Sequence, residues 1–385
     1  LGLLQFFTIP IFNQIKNKGN LSQLDIFQFL FTIICINYCF YFHPSLGTDI
    51  PVFIFGSFLA LELYRYIFYK RDNLNVIFIL ISLGFISKIS FLLVVIFSIL
   101  TIIVCKFNKF PSYFKKYKLV MILVLVVFFL QFHRNISLTG YPLYPFALIS
   151  MPVKWKVEKD VVIQLEKGIS DWAKGLRRVE TNPEEIKKIK REWIKTRLFV
   201  QHRRVETLYP IVLGLAGFLT ICFFFREKLI MILLFIIPPL AQIGMWYFHA
   251  PDTRFSSFAF WWIGAGLGSF AIKKMIPRKW MVVLPLGIII FSFSIHAIDF
   301  MGQKKNLFVS HPSYFIPKCP PATQFETDSG LKVWIPENGA KCDDCPLPCT
   351  QAPSSLLKLR TEGKINGGFL MNYSKPNSII NKPTQ

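Results

Sequence analysis

Long apolar runs separated by short polar breaks dominate the chain, at about residues 24–42, 51–69, 74–87, 89–105, 119–132, 208–225, 229–248, 256–272 and 280–298. Most reach the ~17 to 20 residues that carry a helix across ~30 Å of hydrocarbon. The pattern predicts an all-α polytopic membrane protein of about nine full spans, with residues 3–12 as the end of a partial one. The runs 74–87 and 119–132 are short and call for less tilt, an incomplete crossing or extension into their neighbours.

Two polar segments interrupt this plan. Within the first, residues 133–207, the stretch 158–203 reads as two amphipathic helices, with Val161, Leu165, Ile169, Trp172 and Leu176 on one face. Asn182, Pro183, Glu184 and Glu185 then supply an N-cap, a first-turn proline and acids that suit the start of a second helix. Such helices form a lid on the bilayer surface, or a cover for a lipid-linked substrate. The second segment, from about 299 to the end, holds a strand-and-turn pattern at Leu331, Val333 and Ile335 followed by Pro336, Asn338 and Gly339. The expected domains are 1–132 and 208–298 in the membrane, 133–207 as an outer helical loop, and 299–385 as a small outer domain. The first residue is Leu1, which reads as an N-terminally truncated chain.

Charge gives these runs a direction. Lys16 and Lys18, Lys70 and Arg71, Lys106 to Lys118, Arg226 and Lys228, and Lys273 to Lys279 fall in every second loop, whereas the alternate short loops hold only Lys88 and Arg254. The positive-inside rule places the basic loops in the cytoplasm and the rest outside, because long translocated segments escape that rule. The expected location is a bacterial inner membrane, with the C-terminal tail on the outer side.

Composition agrees with a membrane protein: 53% hydrophobic residues, 41 Phe and only 17% charged residues in 385. A net charge of +22 would suggest nucleic acid in a soluble protein, but here the cations sit in the loops, and no nucleic-acid partner is expected. Of eight cysteines, Cys35, Cys39, Cys105 and Cys222 lie in or beside apolar runs. Cys319, Cys342, Cys345 and Cys349 cluster in the tail, spaced for two disulfides or a metal site. An oxidising compartment and a small loop-rich domain favour disulfides. No cofactor is called for, and a divalent metal is chemically allowed but not indicated.

The polar residues that a bilayer does not explain carry the candidate chemistry. Glu62 and Arg65 are three apart on one helix face and pair most simply with each other. Asp49 opens the run at 51–69 as either a helix cap or a base. Lys88 interrupts some thirty apolar residues at a hairpin turn, which suggests an anionic partner. His249, Asp252 and Arg254 stand within six residues between two apolar runs. They either close a tight turn or, through the planar fork of Arg254, bind phosphate. Lys88 and Arg254 are therefore the expected phosphate clamp, with Asp49 or Asp252 as catalytic base and His249 as a further substrate contact. Tyr141 and Tyr144 belong either to an interfacial aromatic belt or to a substrate-stacking surface.

Residues 84–90 resemble the Gly-rich, Lys-containing hairpin of GT-C superfold glycosyltransferases, and residues 251–255 resemble their Pro-x-x-Arg-aromatic turn. Segments 43–52, 138–145, the Trp-containing outer loop, 250–255 and 342–350 resemble, in the same order, a family of bacterial multi-spanning membrane proteins of that kind. The resemblance implies transfer of a sugar from a polyprenyl-phosphate donor to an acceptor on the outer face, with donor phosphate at Lys88 and Arg254. It also implies an acid or base in an outer loop that precedes residue 1. The expected partners are membrane lipid and a polyprenyl-phosphate-linked sugar. The competing functions are a transporter or flippase of lipid-linked saccharide and a non-catalytic envelope assembly protein.

Overall fold

The computed structural model describes residues 22–41, 49–105, 110–174, 192, 206–275, 321–337, 342, 345–350 and 354–371. They divide into two compact units. The first, residues 1–151 and 158–297, is a helical bundle. Its helices are α1 (Gln23–Tyr41), α2 (Asp49–Tyr69), α3 (Leu74–Ser87), α4 (Leu92–Cys105), α5 (Phe110–Thr139), α6 (Lys159–Lys174), α7 (Leu208–Phe224), α8 (Leu229–His249) and α9 (Ser257–Met275).

The expectation of an all-α chain with about nine full spans is corrected. Among the described residues, three segments are long and apolar enough to cross a membrane: Asp49–Tyr69 in α2, Lys115–Thr139 in α5, and Arg226–His249 in α8. The apolar runs do become helices, but α3 and α4 have 14 residues each and α7 has 17. Fourteen residues rise only about 21 Å, well short of ~30 Å of hydrocarbon. In α9, glycines and a closing Lys273 and Lys274 dilute the apolar content, and its length serves packing instead. Run 280–298 and the partial span lie outside the described residues. So do the second amphipathic helix and Cys319. The described residues of the tail, moreover, include four strands.

Local chemistry sets the helix ends. Ser22 and Asp25 cap α1 reciprocally: the Ser22 amide donates to Asp25 Oδ2 at 2.7 Å, and the Asp25 amide to Ser22 Oγ at 3.2 Å. Lys70 adopts φ 53° and ends α2. In α8, Pro238 and Pro239 remove two amides, so the carbonyls four residues earlier lose their helical donors.

Small residues decide how closely the helices approach. A Cβ on Gly217 would lie 2.2 Å from the Leu267 carbonyl carbon, and one on Gly264 would lie 2.6 Å from the Pro210 oxygen, so α7 and α9 touch backbone to backbone. Around α9 an aromatic core links α1, α2 and α8. Ring centroids are 4.8 Å apart for Phe27 and Tyr64, 5.4 Å for Tyr64 and Phe235, and 5.7 Å for Phe235 and Trp262. By contrast α5 packs on α3 through Phe128 and Phe132 against Phe85 and exposes most of its apolar surface, including Leu119 at 80%.

Side-chain contacts gather the basic helix ends at one end of the bundle. There Asp72, before α3, binds Lys116 and Tyr117 of α5. Phe68 of α2 lies 5.8 Å from Phe270 of α9, and the Lys228 ammonium 5.7 Å from the same ring. A buried polar network reinforces this end. Arg65 donates to Glu62 and, at 3.1 Å, to Gln28 Oε1, while Asn73 Nδ2 donates to the Glu62 carbonyl at 3.0 Å.

The second unit comprises residues 152–157 and 298–385. Strands β1 (Ala322–Glu326) and β2 (Lys332–Pro336) form an antiparallel hairpin in the register Ala322 with Pro336. Gly330, at φ 78°, supplies the left-handed turn position. Strands β3 (Leu357–Thr361) and β4 (Lys364–Met371) form a second, bulged hairpin. The amide of Trp334 donates to the Pro348 carbonyl and that of Thr350 to Trp334, both at 2.9 Å, which lays the cysteine segment beside β2. Cys342 and Cys349 are joined in a disulfide and Cys345 is also disulfide-bonded. The Arg360 guanidinium stacks 5.1 Å from the Trp155 ring.

Candidate functional site

The end of the bundle opposite the basic helix ends carries the candidate site. Lys88 breaks an apolar hairpin there: at φ −159° and ψ 126° it leaves the helical region, although its amide still donates to Gly84 O at 3.1 Å. The chain restarts as a 3-10 turn over Ile89–Phe91, with the Phe91 amide donating to the Lys88 carbonyl at 3.0 Å. This reversal needs glycine at position 84, since a Cβ there would stand 2.4 Å from the Phe91 ring. The same contact recurs between α2 and α9, where a Cβ on Gly56 would stand 2.4 Å from the Phe258 ring. Phe91 and Phe258 pack at 5.5 Å, so two rings seated in glycine notches form the floor beneath Lys88.

Above that floor three elements converge. The Lys88 ammonium donates to Asp49 Oδ1, at the start of α2, at 2.6 Å, and lies 3.7 Å from the centroid of the Phe255 ring. The pair is largely screened from solvent, the side chains being 21% and 13% exposed. A cation held between a carboxylate and an aromatic face is stabilised by both. Phe255 closes the 3-10 turn Thr253–Phe255 that joins α8 to α9. Arg254 sits in this turn, so its backbone adjoins the ring that covers Lys88, while its side chain lies outside the described residues.

The turn is over-determined. The Trp246 indole donates to the Asp252 carbonyl at 2.6 Å, the Phe255 amide donates to the same oxygen at 3.0 Å, and the Thr253 hydroxyl donates to the Glu206 carboxylate. Asp252 and Thr253 are buried. The Asp252 backbone thus positions the turn, and it is Asp49 that meets Lys88.

Helix α6 covers this region. Its Glu166 lies 3.1 Å from His249 Nδ1, and its Trp172 ring packs 6.3 Å from Phe255. Phe146 packs edge-on against His249, with centroids 5.2 Å apart. Tyr141 and Tyr144 lie in the irregular segment between α5 and α6, which is tied by the Asn135 side-chain amide donating to the Pro142 carbonyl at 2.9 Å. Tyr141 is buried, and its hydroxyl has no hydrogen-bond partner among the described residues. Burial first, and the Asp160 charge second, hold that phenol above its ordinary pKa; burial does the same at Tyr144.

Sequence reasoning had not singled out Phe255, Glu166, Trp172 or Glu206 as site residues. Phe255 and Trp172 were visible as the aromatic of the turn and as part of the α6 stripe. Nothing in the pattern marks Glu166 or Glu206, whose partners are 83 and 47 residues away. Among the described residues no three His, Cys, Asp or Glu converge as a metal site.

Three membrane-length helices among the described residues, with a covered, charged cluster at one end of the bundle, define a membrane-associated helical protein. The chain belongs to a family described as a domain of unknown function, DUF8201, whose model matches residues 1–261. No curated protein matches it, and no solved structure does.

Proposed function

We propose that the protein is a membrane glycosyltransferase that takes a sugar from a polyprenyl-phosphate donor at the Asp49–Lys88–Phe255 cluster. The observation that carries this reading is Lys88, a screened ammonium brought against the turn that bears Arg254 and paired with a carboxylate able to change partner. In this scheme the donor phosphate replaces Asp49 on Lys88, with Arg254 as the second cation, and the exchange frees the Asp49 carboxylate. The acceptor hydroxyl oxygen attacks the anomeric carbon and its proton passes to Asp49. The bond from that carbon to the phosphate oxygen breaks, and polyprenyl phosphate leaves with its electron pair into the cationic pair. Helix α6, resting on Phe255 through Trp172, excludes water from the reacting centre.

The reading places the protein in a bacterial inner membrane, with this site and the tail on the outer side. The clustering of basic helix ends at the opposite end supports that orientation. So does the Cys342–Cys349 disulfide, since such bonds persist in oxidising compartments.

The test is release of polyprenyl phosphate from a polyprenyl-phosphate sugar by the protein in proteoliposomes, compared with Lys88→Ala and Arg254→Ala. Transfer should fall at least a hundredfold in each, the scale of losing a charge-stabilising donor of about 3 kcal/mol. Undiminished transfer in both variants overturns the proposal, and movement of the intact lipid-linked sugar across the bilayer without cleavage would instead identify a transporter.

A further inference from the structure

We infer that the turn between α7 and α8, together with the last turn of α9, binds the headgroup of an anionic phospholipid. This site lies at the opposite end of the bundle from Lys88 and does not rest on the proposed activity. Arg226 and Lys228 occupy the turn, Lys273 and Lys274 end α9, and Glu227 is the one carboxylate among them. The glycine contacts that bring α7 against α9 force these two cationic ends together.

Two cations elsewhere in the bundle, Lys88 and Lys116, are already held by a carboxylate. Among the described residues Arg226, Lys228, Lys273 and Lys274 enter no ion pair; Lys228 and Lys274 lie against aromatic rings and Arg226 donates to a carbonyl. The Lys274 ammonium lies 4.4 Å from the Phe224 ring, and that of Lys228 lies 5.4 Å from Phe225. Arg226 Nε donates to the Cys222 carbonyl at 2.9 Å, which fixes the guanidinium at the rim and leaves its terminal donors for an anion.

The surroundings select a lipid rather than a soluble anion. Phe223 is 72% exposed and Ile230 74%, directly beside the cations along α7 and α8. A ligand satisfying both features carries a phosphate next to hydrocarbon chains, and that is a phospholipid with net negative charge.

The experiment uses the full chain in bilayer nanodiscs of phosphatidylcholine mixed equally with phosphatidylglycerol, followed by mild extraction and quantification of co-purifying lipid by mass spectrometry. One variant carries Arg226→Gln, Lys228→Gln, Lys273→Gln and Lys274→Gln. A control removes the same charge from the same end through Lys70→Gln, Arg71→Gln, Lys115→Gln and Lys118→Gln. Wild type and control should both retain phosphatidylglycerol in preference to phosphatidylcholine. The first variant should lose that preference by at least fivefold, the scale of one cation at a lipid surface. Equal loss in the two variants overturns the inference in favour of a diffuse surface field, and retention by the first variant, or no preference in wild type, overturns it outright.

Discussion

Thr101 donates its hydroxyl to the carbonyl of Leu234 at 3.1 Å, across from α4 to α8. That carbonyl is the one Pro238 leaves without an amide, so a side chain on a neighbouring helix repairs the proline break. Thr101→Val should keep the packing volume and remove the bond. Thermal unfolding in detergent is expected to show a loss of about 1 kcal/mol. An unchanged midpoint would mean that the carbonyl finds another donor.

The α7–α9 contact leaves no room for growth. Gly217→Ala places a methyl 2.2 Å from the Leu267 backbone, and because the obstacle is main chain the helices must separate. Destabilisation of roughly 2 kcal/mol or more is expected from such overpacking. Gly244→Ala serves as the control, because a Cβ there meets nothing within 4 Å.

The Asp49–Lys88 pair is open to a double-mutant cycle. Asp49→Asn and Lys88→Gln should each cost more than the two combined, since either single change strands a screened charge. A coupling of about 1 kcal/mol or more is expected in denaturation measured by far-UV circular dichroism. Strict additivity would show that the pair is not maintained in the membrane.

Tyr141 gives a pH dependence with a definite sign. Its folded-state pKa is raised, so the neutral phenol is favoured in the fold, and that contribution is complete below the unfolded value near ~10. It fades as pH rises from there through the folded value. Tyr141→Phe should therefore move alkaline unfolding to higher pH. At neutral pH it should be neutral or slightly stabilising, because it removes a buried hydroxyl without a partner among the described residues. Far-UV circular dichroism followed against pH checks the first point, and denaturation at neutral pH the second.

Hydropathy located the apolar helices well, because a run of hydrocarbon side chains has few alternatives to a helix in an apolar setting. It misjudged how many cross a membrane. Pattern reports apolar character, whereas a crossing also needs length, and α3 ends at Ser87, where Lys88 and its flanking serines permit a reversal into α4. The pairing of Glu62 with Arg65 was readable because both lie on one helix face. The contact of Lys88 with Asp49 joins positions 39 apart, and that of Lys88 with Phe255 depends on how α9 docks, so neither has a periodic signature.

The polar links at the two ends of α3 have a joint mechanical meaning. Asn73 holds the Glu62 carbonyl and Lys88 holds Asp49. From Asp49 to Glu62 along α2 is a rise of about 20 Å, and from Asn73 to Lys88 along α3 about 22 Å, so the two links are rungs at matched heights between antiparallel rails. Sliding one rail by a turn, about 5.4 Å, would break both rungs at once. The α2–α3 pair therefore behaves as a single stiff strut, and a ligand that draws Lys88 away from Asp49 releases only its upper fastening.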